Sequence, residues 1–392
     1  MHLFVVLSAS NNISMEKFDW RCPIRINLLL LRSVGLWPRG YGVYKRNYYL
    51  FYSIFTTITI VGGHNLSQVI NIFYVYSDLE ALTGTIFVAT TNILALVKRY
   101  VFVRNLPLIK EILQTLNTYQ FHPKTRQQLK IIQAPLRRWK LAYLCFSIIV
   151  YFNVAMWTLE PLLDKMIKNR RLPFEAWYPF NSKQSPNYEI AYCYQFICIW
   201  NITIANLNLD TLIFAFMMFI SAQCEILCDD LRSLDVGFGP KLIQCIKHHK
   251  EILRLAKVTN NIFNFIILGQ IATSTAALAL TMFQLSLINS INTTALTHFA
   301  YMMGMLSEIL LYCWFGNEIE VKSYLIPNAA YESQWMHQDR SVAKNLLILG
   351  CRCRKPIKIT AINLFTLSLP TFIAILRSAW SYFALLSTIN GK

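Results

Sequence analysis

Long apolar segments free of acidic and basic side chains alternate along the chain with polar, positively charged stretches. A helix needs roughly 20 apolar residues to cross a bilayer, so each long segment is a candidate span. Residues 258–307 are uncharged throughout but too long for one crossing, and the polar run 289–294 divides them into a helical hairpin. The pattern therefore predicts seven membrane-spanning helices, spans 1 to 7, at about 47–74, 79–103, 139–162, 190–224, 258–287, 295–317 and 357–389.

Composition supports a polytopic membrane protein of the all-α class. Hydrophobic residues make up 55% of the chain and charged residues 15%, whereas a soluble domain carries about 25% charge. The sequence has no internal repeat, low-complexity segment or linker, so we expect residues 1–392 to form one seven-helix domain.

The distribution of positive charge predicts which side of the membrane each end occupies. Of 37 lysines and arginines, 30 lie before span 1 or in residues 98–140, 225–257 and 318–358, the charged segments around the connections between spans 2 and 3, 4 and 5, and 6 and 7. Because such residues concentrate on the cytoplasmic side, the amino terminus is predicted inside and the carboxyl terminus outside. The net charge of +17 is thus explained by topology, and a nucleic-acid partner is not expected, since basic residues are scattered among spans.

Two amphipathic stretches lie outside the spans. The apolar run 26–31, between two arginines, is too short to cross and predicts an interfacial or re-entrant helix. Residues 241–260 place Leu242 and Ala256 on one helical face, which predicts a cytoplasmic projection continuing into span 5. His248 and His249 fall outside that apolar face, and we interpret them as a solvated pair.

Motifs for catalysis are missing from the sequence. It contains no Gly-x-Ser-x-Gly elbow, His-Glu-x-x-His zinc pair or phosphate-binding glycine loop, so neither an enzyme nor a cofactor is expected. The Asp/Glu-Arg-Tyr and Asn-Pro-x-x-Tyr markers of G-protein-coupled receptors are missing too, and the inverted topology argues against that class.

Three ionisable residues within predicted spans are functional candidates, because a charge in the bilayer is costly. Asp210 in span 4 and Glu308 in span 6 have the alternative of pairing with a lysine or arginine at the cytoplasmic surface. Arg377, in the middle of span 7, could face a pore, pair with another subunit or extend its charge to the membrane surface.

A ligand cavity is expected where bulky apolar and weakly polar side chains converge at the outer ends of spans 2, 3, 4 and 6. Each such residue alone is more often a packing residue, so only their convergence would define a site. The candidates are Phe87, Thr90, Asn153, Trp157, Phe196, Thr203, Tyr301, Met302 and Met305. The aromatic loop 172–180 between spans 3 and 4 could act as a rigid lid or as an anchor at the membrane surface.

Span 7 carries hydroxyls that a helix facing only lipid would not need, including Ser381 and Thr388. Such side chains suit a helix that lines a wet path. This segment, 360–386, together with Leu172-Pro173-Phe174, Trp177-Tyr178-Pro179-Phe180 and Pro161-Leu162-Leu163, resembles the insect odorant receptors.

The resemblance implies a tetrameric, ligand-gated, non-selective cation channel with this inverted topology, in the plasma membrane of sensory neuron dendrites. It implies a pore lined by span 7, with a hydrophobic constriction at Leu385 and Ile389 beside Thr388, and an odorant pocket walled by Asn153 and Trp157. Odorants, permeating cations, membrane lipids and a shared co-receptor subunit are the implied partners.

Two departures from the family pattern affect span 7. Ile362-Asn363-Leu364 replaces a common Gly-Lys-Phe, and Pro370 is a candidate kink. The short connection between spans 4 and 5 suits a tuning receptor better than the longer co-receptor. A gustatory receptor of the same superfamily is the alternative. A secondary transporter is a further one, disfavoured because inverted repeats and paired broken spans are missing.

Overall fold

The computed structural model describes residues 18–40, 44, 47–77, 79–163, 172–235, 237–288 and 293–390, without the side chains of 79–81, 87, 162–163 and 389–390. This part of the chain is almost entirely helical. Its α-helices are α1 (Arg25–Ser33), α2 (Tyr48–Phe55), α3 (Gly63–Val75), α4 (Leu79–Arg104), α5 (Leu106–Leu116), α6 (Arg126–Leu163), α7 (Asn187–Arg232), α8 (Phe238–Leu287), α9 (Thr293–Tyr324), α10 (Ile326–Tyr331), α11 (Arg340–Cys353) and α12 (Leu369–Asn390). A π-helical segment (Thr56–Gly62) joins α2 to α3, short 3-10 turns lie at Tyr119–Phe121 and Trp335–His337, and two strands are β1 (Thr360–Ala361) and β2 (Phe365–Thr366).

Six helices in the described part are long and apolar enough to cross a membrane, namely α4, α6, α7, α8, α9 and α12. They correspond to predicted spans 2 to 7. Predicted span 1 corresponds to α2, the π-helical segment and α3, which follow one another without a break over residues 48–75.

Several helices are much longer than a bilayer requires. Helix α8 has 50 residues, which at 1.5 Å per residue is about 75 Å, against a hydrocarbon core of about 30 Å. At that length it cannot lie wholly within such a layer. Its amino-terminal half packs against α11 and the end of α7.

Helix α7 is the centre of the molecule, with 94% of its apolar window buried. The run 212–220 is apolar on every side of the helix, and a helix of that kind is found in protein interiors. It contacts α1, α6, α8 and α9. Within it, Thr211 accepts a 2.6 Å hydrogen bond from Asn27 of α1, so the short apolar run packs against the central helix.

The interpretation of His248 and His249 as a solvated pair is wrong. Both side chains are buried, because the end of α7 and helix α11 cover this side of α8. A ring nitrogen of His248 lies 3.0 Å from Gln223 Oε1, and His249 Nε2 lies 3.5 Å from Cys353 Sγ. Leu242 and Ala256 are buried as the amphipathic pattern indicates.

The predicted helical start of span 7 is also wrong, because residues 360–366 form a β-hairpin and α12 begins only at Leu369. Strand β1 pairs antiparallel with β2, with Thr360 opposite Thr366. Ile362 and Asn363 adopt φ values of 48° and 57°, and the Leu364 amide donates to Ala361 O at 2.9 Å. Two successive positive φ angles define a type I′ turn, which reverses the chain and excludes a helix.

The hairpin is fixed to α8 and α9. Asn260 of α8 accepts from the Thr360 amide at 2.8 Å and donates to its hydroxyl at 3.2 Å. On α9, a Cβ added at Gly316 would collide with Leu367, so the absent side chain allows this close approach. Pro370 lies in the first turn of α12, where a missing amide breaks no helical hydrogen bond, and so does not kink the helix interior.

Candidate functional site

A cavity of about 110 Å³ lies between α4, α6, α7, α9 and the loop before α7. Each helix contributes residues spaced three or four apart, the spacing that places side chains on one helical face. Of the candidate ligand-binding residues, those that border this cavity are Asn153, Trp157, Thr203, Tyr301 and Met305.

Three candidates do not line the described cavity, and a fourth cannot be placed. Phe196 is 41% exposed at the surface of α7, and Met302 packs against the main core. Thr90 is half-buried and donates to the carbonyl of Ile86. The side chain of Phe87 lies outside the described part of the chain.

Aromatic rings form one wall of the cavity. Trp157 of α6 stacks on Phe174 at 5.4 Å with an interplanar angle of 17°, and meets Tyr301 of α9 edge-on at 6.3 Å. Offset-stacked and edge-to-face pairs of this kind are the favoured aromatic geometries. Phe174 is not among the ligand-binding candidates predicted from the sequence, although the aromatic loop that carries it is predicted to be a possible lid.

The loop 172–180 is held over the cavity by hydrogen bonds at two points. The fully buried side chain of Gln195 accepts from the Phe174 amide at 3.1 Å and donates to the Phe174 carbonyl at 2.9 Å. Farther along, the Trp177 amide donates to Ser67 O of α3 at 3.0 Å, and its ring stacks on Tyr74. The loop is thus fixed to both α7 and α3.

The opposite end of the cavity is polar and charged. Glu308 of α9 borders the cavity, and its carboxylate lies 3.6 Å from the ammonium group of Lys98. Lys98 donates to both oxygens of Asp210, at 2.7 and 2.8 Å, and Tyr312 donates to the same carboxylate at 2.6 Å. Asp210 and Glu308 therefore share a lysine, but inside the bundle and not at the cytoplasmic surface.

A larger groove of about 410 Å³ lies on the other side of the loop, between α3 and α7. Leu66, on its wall, is 61% exposed, so the groove opens onto the surface that lipid would cover. The smaller cavity combines apolar walls with buried polar groups, the usual composition of a specific ligand site. We therefore regard it as the candidate ligand site.

Helix α12 presents the candidate pore residues on its exposed face. Leu385 is 59% exposed, Ser381 and Thr388 are exposed about one turn from it, and Arg377 is exposed about two turns away. Ile375 and Ala379, which are turned away from these residues, are buried. The side chain of Ile389 lies outside the described part of the chain.

The fold and cavity together define a helical, multi-pass membrane protein with an internal site suited to a small, largely apolar molecule. Comparison with known proteins identifies the family within this class. A model of the 7tm odorant receptor family matches residues 78–380, and the chain belongs to that family.

Full-length relatives and a solved fold agree with this assignment. The chain is 24% identical to Odorant receptor Or1 of Anopheles gambiae (97% of this chain, 99% of the relative) and 25% identical to Odorant receptor 94a of Drosophila melanogaster (94% and 97%). It is 30% identical to the Odorant receptor coreceptor of Ooceraea biroi over 142 residues, 36% of this chain and 30% of that one. The fold matches the olfactory receptor OR5 of Machilis hrabei, solved with eugenol, with a TM-score of 0.85, 21% identity and coverage of 95% and 100%.

Proposed function

We propose that this chain is the ligand-binding, tuning subunit of an odorant-gated cation channel in the plasma membrane of a sensory neuron. In this proposal it crosses the membrane seven times, with residues 48–75 as the first span and the amino terminus inside. Small odorants bind the cavity that Trp157 and Tyr301 border. The solved complex of the similar receptor with eugenol supports a small organic ligand.

The observation that carries the channel proposal is the poor burial of α12. Only 11% of its apolar window is buried, against 28–94% for the other five candidate spans. A helix with this exposure needs lipid or other subunits around it. Because one helix cannot enclose a conduit, the exposed stripe with Ser381, Leu385 and Thr388 would line a pore only in a ring of subunits.

Helix α9 offers a direct mechanical link between cavity and pore. Tyr301, Met305 and Glu308 border the cavity, and Gly316, farther along the same helix, contacts Leu367 just before α12. A ligand that binds one position of α9 more tightly would shift the population towards the α12 packing that accompanies it. In this mechanism the large apolar side chain of Leu385 closes the pore by dewetting.

We infer that a co-receptor subunit completes the ring, with lipid around it and cations passing through. The 30% identity to a coreceptor over 142 residues supports a shared assembly surface. The test is whole-cell recording with this chain alone, the co-receptor alone and both together. Odorant-evoked current only when both are expressed supports the proposal. Odorant-evoked current with the co-receptor alone, or no odorant-evoked current in any of the three conditions, contradicts it.

The pocket is tested by Trp157→Ala in the co-expressed receptor. Loss of an aromatic ring from the cavity wall removes on the order of 1.5–3 kcal/mol of apolar contact with the ligand, so the half-maximal odorant concentration should rise about tenfold or more. Trp200→Ala is the matched control, because Trp200 lies on neighbouring α7 and does not border the cavity. An unchanged dose–response curve for Trp157→Ala at normal surface expression would remove Trp157 from the site.

A further inference from the structure

Three residues that border the cavity each carry a buried acceptor oxygen without a hydrogen-bond partner among the described residues. These oxygens are Asn153 Oδ1 of α6, Asn206 Oδ1 of α7 and Glu308 Oε1 of α9. The nearest cation to Glu308 is Lys98, at 3.6 Å, which is beyond hydrogen-bond distance. The three residues come from three helices and border one cavity.

Three donors close to this cavity are already engaged. Lys98 donates to Asp210 at 2.7 Å, the Tyr301 hydroxyl donates to Thr91 at 3.5 Å, and Thr91 donates to Val88 O at 2.8 Å. Asp210 and Glu308 also share the single ammonium group of Lys98. The cavity is therefore rich in acceptors.

A buried acceptor without a partner is unfavourable, so a molecule that donates to these oxygens would bind preferentially. Ordered water can satisfy them when no ligand is bound. The aromatic wall around Trp157 and Phe174 favours an apolar body, and the volume of about 110 Å³ limits its size.

We propose that the cavity selects small apolar molecules that carry a hydrogen-bond donor at one end, either a hydroxyl or a primary amine. Ethers of the same size would be disfavoured, because an ether oxygen only accepts and would face Glu308 and the two amide oxygens. This inference rests on the proposed function, since it specifies the ligand class of the same cavity.

Isomeric ligand pairs test this directly. Benzyl alcohol and anisole share one formula, as do hexanol and methyl pentyl ether, but only the alcohols donate. Each compound is titrated against the purified full chain, with its affinity taken from the concentration dependence of the thermal midpoint. We expect each alcohol to bind about tenfold more tightly than its isomeric ether. Equal affinities, tighter ether binding or no binding of any member overturns the inference.

Benzylamine and hexylamine separate charge from hydrogen bonding. Tighter binding of amines than alcohols assigns the selectivity to the Glu308 carboxylate, and tighter binding of alcohols assigns it to neutral hydrogen bonding. Either result supports the proposal when both classes bind more tightly than the ethers.

Two variants locate the selectivity, with a third as the matched control. Asn153→Leu and Asn206→Leu each remove one acceptor at similar side-chain volume, and each should reduce the alcohol-to-ether ratio to about threefold or less. Asn208→Leu is the control, because Asn208 does not border the cavity and donates to Ile204 O at 2.7 Å. A ratio that falls equally in all three variants contradicts the assignment.

Recordings from the co-expressed receptor distinguish failure of this inference from failure of the proposed function. Alcohols that bind selectively but evoke no current refute the channel proposal and leave the selectivity intact. Equal currents and equal affinities for alcohols and ethers refute the selectivity and leave the channel proposal intact.

Discussion

Lys98 and Arg99 show that a basic residue counted in a positively charged segment can be buried inside the helical bundle. By charge counting, both belong to the positive connection between spans 2 and 3. Both are buried, because α4 continues to Arg104 and places them inside the bundle. Lys98 meets Asp210, and Arg99 donates to Val34 O at 3.2 Å. The partners are distant in sequence, so residue patterns alone do not reveal them, whereas the orientation rule depends only on segment totals.

Removing the Lys98 charge should therefore destabilise the fold. In Lys98→Met the carboxylates of Asp210 and Glu308 remain buried without their cation, which costs on the order of 3–5 kcal/mol. We expect a lower thermal midpoint for the purified protein and reduced surface expression. The double variant Lys98→Met, Asp210→Asn removes charge from both partners and should recover part of the loss.

Lys241→Met is the matched control for that experiment. Lys241 pairs with Asp235 at 2.7 Å, but both side chains are about half exposed, and pairs of this kind contribute roughly 0–1 kcal/mol. A Lys98→Met protein as stable as Lys241→Met would show that Asp210 and Glu308 do not depend on Lys98.

The cavity residues illustrate what the sequence could predict at this scale. Residue types and predicted spans were enough to propose Asn153, Trp157 and Tyr301, but not the rotation of each helix. Tyr301 and Glu308 lie seven residues apart on one face of α9, whereas Met302 is turned by about 100° and packs elsewhere. Because α9 is apolar on several sides, its sequence does not fix which side meets the ligand.

At the scale of elements, the long apolar helices were predictable and their boundaries were not. Residues 359–389 read as one apolar, hydroxyl-bearing segment, and only Asn363, a residue that tolerates positive φ, indicates a turn near its start. The hairpin is set by contacts from Asn260 and Gly316, which lie on other helices. Helix α12 then has 22 residues, enough for one crossing.

The exposed stripe of α12 predicts a pattern of chemical accessibility in the assembled receptor. Leu385→Cys places a thiol on that stripe, so a water-soluble thiol reagent should block odorant-evoked current if the stripe lines the pore. Ile375→Cys is the control on the buried face and should be unaffected. The parent chain needs the same treatment first, because Cys145 and Cys193 are exposed. Block in Ile375→Cys without block in Leu385→Cys would contradict the assignment.

For the whole molecule, the path of residues 48–75 decides the topology. Six helices satisfy the length and hydropathy of a span individually, and an even number of crossings would leave both termini on the same side. The continuous helical segment 48–75 contains no acidic residue, lysine or arginine, so it can supply the seventh crossing. Seven crossings place the termini on opposite sides, which agrees with the charge distribution.

Epitope tags at two positions test this arrangement. A tag after Lys392 should be labelled on intact cells, whereas a tag inserted at 235–237, between α7 and α8, should be labelled only after permeabilisation. An amino-terminal tag should behave like the second. Labelling of both termini from the same side would indicate an even number of crossings and remove 48–75 as a span. Labelling of the 235–237 tag on intact cells, with the Lys392 tag hidden, would reverse the orientation while retaining the fold.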